Sequence, residues 1–127
     1  MKNEGNAEPE IVGRTFRFAV AVVKFCDKLD QQPGVGRVLM SQIARSGTSV
    51  GANVEEAQAA ESKADFVSKM SISLKEARET NFRLRVMAAS EIQRIKPPEF
   101  LVAESDEIRR VLGAIVASAK GFRDSSK

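Results

Sequence analysis

From position 67 onward, apolar and small residues return at alternating steps of three and four: Val67, Met70, Leu74, Ala77, Asn81, Leu84 and Ala88. That spacing brings every member back to one side of an α-helix and cannot be the two-residue alternation of a strand. Phe66, Ser73, Thr80 and Met87 flank the stripe. A stripe sustained over three heptads packs along other helices at shallow angles, as in a bundle. Ser62-x-x-Asp65 is a variant of the capping box, in which a hydroxyl and a carboxylate satisfy free amides at a helix start. Pro97-Pro98 ends the segment, so a long helix is expected over about 63–95, with Ile92 and Ile95 closing one end of the bundle. Asp65/Lys69 and Glu79/Arg83 add favourable i,i+4 pairs.

Three more helices surround this one in the reading. The first, about 14–30, places Phe16, Ala19, Val20, Val23 and Cys26 on one face, widened by Phe18, Val22, Phe25 and Leu29. Apolar around more than half its girth, it should be flanked on several sides. Pro33-Gly34 and Gly36 supply a turn. The second helix, about 36–59, carries Leu39, Ile43, Ser46, Val50, Val54 and Ala57 at steps of three and four. Gly47 and Gly51 sit inside it, each costing roughly 1 kcal/mol relative to Ala. Close approach of another helix to the face formed by Ser46, Gly47, Gly51 and Ala52 would offset that cost. Ser and Thr hydroxyls there can bond back to the carbonyl four residues earlier. The fourth helix, about 98–121, carries Phe100, Leu101, Ile108, Val111, Leu112, Ile115, Val116 and Ala119, with Gly121 as its C′ residue. Rods of about 30–35 Å joined by short turns give an all-α, up-down-up-down four-helix bundle over 13–121. A flexible polar segment (1–12) and a tail (122–127) flank it.

A chain of 127 residues that is 43% hydrophobic is one domain with an adequate core. Trp and Tyr are absent, and aliphatic side chains dominate. Cys26, the only cysteine, is a small core residue by its neighbours. Histidine is also absent, which excludes Ser-His-Asp and Cys-His catalysis, His-bearing zinc sites and Glu-x-x-His di-iron sites. No run of about 18 apolar residues occurs, so a soluble, cytoplasmic protein is expected. The net charge is only +3, yet residues 63–96 hold eight basic and four acidic residues, a local +4. Most of the seven Phe fall on expected core faces, which leaves no aromatic platform for stacking bases.

Asn53, Glu55 and Glu56 on the second helix and Glu76, Glu79 and Asn81 on the third are expected to meet near one end of the bundle. Carboxylates so placed hold Mg²⁺ in the all-α nucleoside triphosphate pyrophosphohydrolases. Here Ala59 and Ala60 stand four residues after Glu55 and Glu56, so a third carboxylate is missing. In the alternative, structural reading Glu79 pairs with Arg45, Arg78 or Arg83, while Asn53 and Asn81 bond across helices.

The stretches RSGTSVGANVEEAQAAES (45–62) and DFVSKMSISLKEARETNFRLRVMAAS (65–90) resemble the four-helix bundle family of proteins encoded in intervening sequences of bacterial large-subunit ribosomal RNA. Accessory proteins of diversity-generating retroelements belong to the same group. The resemblance covers roughly 14–120. It is carried by Gln42, Arg45, Ser46, Ser49 and Asn53, and by Glu56, Ser73, Glu76, Glu79 and Leu84. Phe82 precedes Arg83 where many members have Tyr-Trp or Trp, and Val54 stands for a frequent Ile; neither departure touches a charged motif residue. The resemblance implies a homopentamer with a basic surface and, as for the retroelement members, nucleic acid and a reverse transcriptase as partners. The apolar girth of the first helix and the small-residue face of the second agree with an oligomer. Five copies would carry +15, and avidity would then strengthen phosphate binding.

The leading expectation is a non-catalytic oligomeric interaction module. It would bind RNA or DNA through Lys75, Arg78, Arg83, Arg85 and Arg94 of the third helix, without cofactor or metal. A protein-binding scaffold meeting an acidic partner, and then a carboxylate/Mg²⁺-dependent nucleotide hydrolase, are the alternatives.

Overall fold

The structure, a computed structural model, describes residues 8–29, 34–92 and 96–121. It contains four helices: α1 (Glu10–Leu29), α2 (Val35–Gln58), α3 (Lys63–Ser90) and α4 (Glu99–Lys120). No strand occurs among the described residues. Each helix packs antiparallel to its chain neighbour; α1 and α4 also touch, over a thinner seam, and the diagonal pairs stand apart. The all-α four-helix bundle expected from the sequence is present. Among the described residues, no helix is long and apolar enough to cross a membrane.

α1 begins at Glu10, a turn earlier than expected. The amide of Val12 bonds to the carbonyl of Pro9 (3.1 Å), and Glu10 places a negative charge in the first turn. Ile11 and Val12 are buried and extend the core by that turn. The side of α1 that faces the core also differs from the expectation. Phe18, Val22, Phe25 and Cys26 point inward, whereas Phe16, Val20 and Val23 point out and are 58%, 38% and 50% exposed.

The small-residue face of α2 explains this rotation. A Cβ on Gly47 would lie 2.9 Å from Cγ1 of Val22, and one on Gly51 would lie 3.2 Å from the backbone oxygen of Thr15. Close helix approach is therefore the role of both glycines, and the approaching helix is α1 of the same chain. Ser46, Gly47 and Gly51 of that face are covered within the chain and only Ala52 is exposed, so its small residues serve packing inside the bundle. Thr48 and Thr15 return hydrogen bonds to Ala44 and Ile11, four residues earlier, both at 2.8 Å.

Hydroxyls set the α2–α3 seam. Ser73 Oγ donates to the carbonyl of Val50 (2.7 Å). Thr80 Oγ1 lies 2.7 Å from Ser46 Oγ and 2.8 Å from the carbonyl of Glu76. A carbonyl only accepts, so both contacts are satisfied when Thr80 donates to Glu76 and Ser46 donates to Thr80. Ser46, Ser73 and Thr80 are fully buried, and in pairing with one another and with main chain they avoid the cost of an unmet polar group.

α3 opens as expected: Ser62 Oγ accepts from the Asp65 amide (3.0 Å) and Asp65 accepts from the Glu61 amide (3.3 Å). It ends at Ser90, where Glu91 adopts a left-handed conformation (φ 57°) and turns the chain. Ile92 is exposed instead of closing the bundle end, and Ile95 lies outside the described residues. On α4, Gly121 takes the expected left-handed C-terminal position (φ 74°), while Phe100 points to solvent and not to the core.

Two predictions follow from this packing. At Gly113 nothing lies within 4 Å of an added Cβ, so Gly113→Ala should raise stability by about 0.5–1 kcal/mol. Gly47→Ala gains the same helix propensity but presses on the stiff, fully buried Val22, and should lower stability by about 1 kcal/mol or more in urea denaturation. Equal stabilisation by both would mean that the α1–α2 seam has slack. The second concerns the clasp of α1 and α4, where Arg14 donates to Glu104 through Nε (2.6 Å) and Nη2 (2.8 Å). The Arg14 hydrogen bond holds the Glu104 carboxyl below its ordinary range. A depressed native pKa contributes stability that is present above the unfolded value and lost as pH falls through the native one. Glu104→Gln should therefore cost about 0.5–1 kcal/mol at neutral pH, discounted for partial exposure, with the gap to the unaltered protein closing in acid.

Candidate nucleic-acid interface

α3 turns residues 73, 76 and 80 toward α2, and helical spacing then places Lys75, Arg78, Phe82 and Arg85 on its outer and α4-facing sides. Lys75 and Arg78 are exposed and have no hydrogen-bond or ion-pair partner among the described residues. Arg85 is tethered: its Nε donates to Oδ1 of Asn81 (2.9 Å), and its guanidinium carbon lies 5.7 Å from the centroid of the Phe82 ring. Asn81, almost fully buried, is itself fixed from α4. Its Nδ2 donates to Ser105 Oγ (2.9 Å), which donates to the carbonyl of Val102 (2.7 Å). A chain of hydrogen bonds anchored in the core thus aims the Arg85 fork.

Between α3 and α4 a groove of about 680 Å³ is lined by Asn81, Val102 and Ala103 together with Arg78, Arg85, Asp106 and Arg109. Arg109 donates to Asp106 through Nε (3.1 Å) and Nη2 (2.6 Å), and Arg110 Nε donates to the other carboxylate oxygen (3.0 Å). The Arg109 hydrogen bond, followed by that of Arg110, lowers the pKa of Asp106, which stays charged at neutral pH. Three guanidiniums against one carboxylate leave the groove positive, and a fork already held in place suits bidentate binding of phosphate. Arg109 did not emerge from the sequence. Its signal, Asp106-x-x-Arg109-Arg110, reads there as ordinary i,i+3 and i,i+4 pairing on one helix.

The expected basic set does not form one surface. Arg83 faces α2, where its Nη1 is buried 3.6 Å from Glu79 Oε1, beyond hydrogen-bonding range but within an ion pair. Arg45 reaches the same carboxylate oxygen (3.6 Å) and Glu76 (3.5 Å). Arg83 thus stands with Arg45, Glu76 and Glu79 in a partly exposed ionic cluster along the α2–α3 seam, and Arg94 lies outside the described residues. Glu79 takes two of its three expected partners, Arg45 and Arg83.

The motif residues of α2 divide in the same way. Ser46 is buried in the α2–α3 seam and Arg45, though exposed, reaches the carboxylates of α3, whereas Gln42 and Glu56 are exposed. Ser49 offers its carbonyl to Asn53 Nδ2 (2.9 Å), so Asn53 bonds within its own helix and not across helices, unlike Asn81. The expected meeting of Glu55 and Glu56 with Glu76 and Glu79 does not occur. The α2–α3 register pairs 46 with 80 and 50 with 73, so the acids of α2 lie opposite the first turns of α3, where Glu56 acts on Lys69. No group of three or more metal-ligating side chains occurs among the described residues. Burial pushes the Cys26 thiol up to about 11, consistent with its place in the core.

No curated protein matches this chain. A family model described as 23S rRNA-intervening sequence protein matches residues 8–114. Among solved structures, the chain is similar to a protein of unknown function from the S23 ribosomal protein family of Bacteroides thetaiotaomicron VPI-5482. The two share 37% identity, with 84% of this chain and 97% of that one covered and a TM-score of 0.74. Extent of match, four-helix order and shared fold agree: this chain belongs to the family of 23S rRNA-intervening sequence proteins.

Proposed function

We propose that the protein is a non-catalytic, self-associating interaction module that binds nucleic acid through the groove and outer face of α3. The observation that carries this reading is the pairing of free and prealigned cations: Lys75 and Arg78 have no described partner, while Asn81 presents the Arg85 fork beside Arg109. Cations without an internal partner are the ones free to replace counterions along a phosphate backbone. A role without chemistry of its own is supported by the lack of histidine and by a cysteine held protonated in the core.

Self-association into a ring such as a pentamer is supported by the outward stripe of Phe16, Val20 and Val23 on α1 and, on a separate face, by the exposed Val35 and Val38 at the start of α2. Several copies would array the α3 grooves and raise the effective concentration of phosphate contacts. Members of the assembly could also present the same surfaces to a protein such as a reverse transcriptase.

Binding should weaken steeply with salt in fluorescence anisotropy. The double variant Lys75→Glu/Arg78→Glu should lower RNA or DNA affinity about tenfold or more and reduce the salt slope by about two. Arg83→Ala, by contrast, should lower stability and leave that slope unchanged. If the charge reversals leave affinity unchanged in a folded protein, this surface is not the binding site. For assembly, Val20→Glu should reduce the mass in sedimentation without altering helix content; an unchanged mass would count against the α1 stripe as a subunit contact.

A further inference from the structure

Phe82 is an exposed aromatic where none was expected. Among the described residues Phe16, Phe82 and Phe100 all point outward; Phe100 shares its groove with Arg17 and with an Arg14 taken up by Glu104, whereas Phe82 lies beside Arg78 and Arg85, neither of which is bound to a carboxylate. It sits in the middle of α3, so its backbone is fully hydrogen-bonded and its ring is carried on a rigid element. The residue is 58% exposed, and Arg85, one turn on, lies over the ring with 5.7 Å between guanidinium carbon and centroid. Lys75 and Arg78 precede it by seven and four residues, which puts both on the same side of the helix. At the neighbouring helical positions stand Arg78 and Arg85 on one flank and Glu79 and Val86 on the other, so the exposed ring borders a basic flank of the helix.

An aromatic ring beside cations fits a ligand that has a flat apolar face and a negative charge within a few ångströms of it. An unpaired nucleotide has both. A base paired inside a duplex cannot offer its face to a side chain, because its neighbours in the stack already cover it. We propose that Phe82 is a stacking platform for an unpaired base, with the adjoining phosphates held by Arg78, Arg85 and Lys75, so that this face selects single-stranded over duplex nucleic acid. The inference rests on the phosphate-binding reading above and adds strand state to it. Arg85 has a double part, pairing with the ring as a cation and with phosphate through the part of its fork not used by Asn81.

The test is anisotropy with three labelled probes of equal length and equal charge per strand: a mixed-sequence single-stranded RNA, the same strand with abasic positions throughout, and the corresponding duplex. The expected result is that the intact single strand binds about tenfold more tightly than the abasic strand, with the duplex nearer the abasic strand. Phe82→Ala should abolish the preference while leaving abasic binding unchanged, and Phe82→Tyr should restore it. Since the ring is exposed, helix content and melting temperature should not move in either variant. Equal affinity for intact and abasic strands, or a preference that survives Phe82→Ala, overturns the stacking role and leaves the phosphate-binding reading standing. Failure of all three probes to bind at low salt overturns both. A change in subunit mass on Phe82→Ala with the preference intact assigns the ring to contact between copies, again overturning the proposal.

Discussion

Two buried hydroxyl contacts between α2 and α3 govern the arrangement of everything else. Apolar side chains at three-four spacing tolerate sliding by a turn and some rotation, because one aliphatic group replaces another at modest cost. A serine that must meet a carbonyl, or another hydroxyl, tolerates neither. Ser73 on Val50 and Thr80 on Ser46 fix both the height and the rotation of α3 against α2. With those positions turned inward, Glu76 and Glu79 are led to Arg45 and Arg83, and the opposite flank of α3 is left to Asn81, Arg85 and α4. The polarity of the two sides of α3 is thus a result of its register.

Helix number, order and most of the core of α2, α3 and α4 were legible in the sequence, since their apolar stripes are narrow enough to have one reading. α1 was not. Its apolar residues run nearly round the helix, and both Phe18/Val22/Phe25 and Phe16/Val20/Val23 have helical spacing. The choice between them is made by α2, whose glycines admit Val22 and the Thr15 carbonyl. A single-helix pattern contains no record of that decision. Val20 and its neighbours therefore face outward, although they are as apolar as the residues that do not.

The interface was legible only in part for a related reason. Summing charge over a segment ignores that residues two apart lie on nearly opposite sides of a helix, and Arg83 and Arg85 are such a pair. One is spent on a carboxylate along the seam and the other is held out toward a groove. The third guanidinium of that groove comes from α4, more than twenty residues further along the chain, so no local window could include it. Phe82 lies one position to the side of the stripe, and its exposure beside cations is set by the rotation of α3 against α2 and not by any local pattern.

The thin seam between α1 and α4 shapes how such a bundle forms and opens. The three broader seams each join helices consecutive in the chain, so their contacts close short loops at little entropic cost. Folding can therefore advance as overlapping helical hairpins, a low-contact-order route associated with rapid collapse. Only the contacts of α1 with α4 require the two ends of the chain to meet, and there a single bidentate ion pair with the rings of Phe18 and Phe100 nearby marks the junction. That junction closes last and parts first, so the bundle breathes along one edge while the α2–α3 centre stays intact.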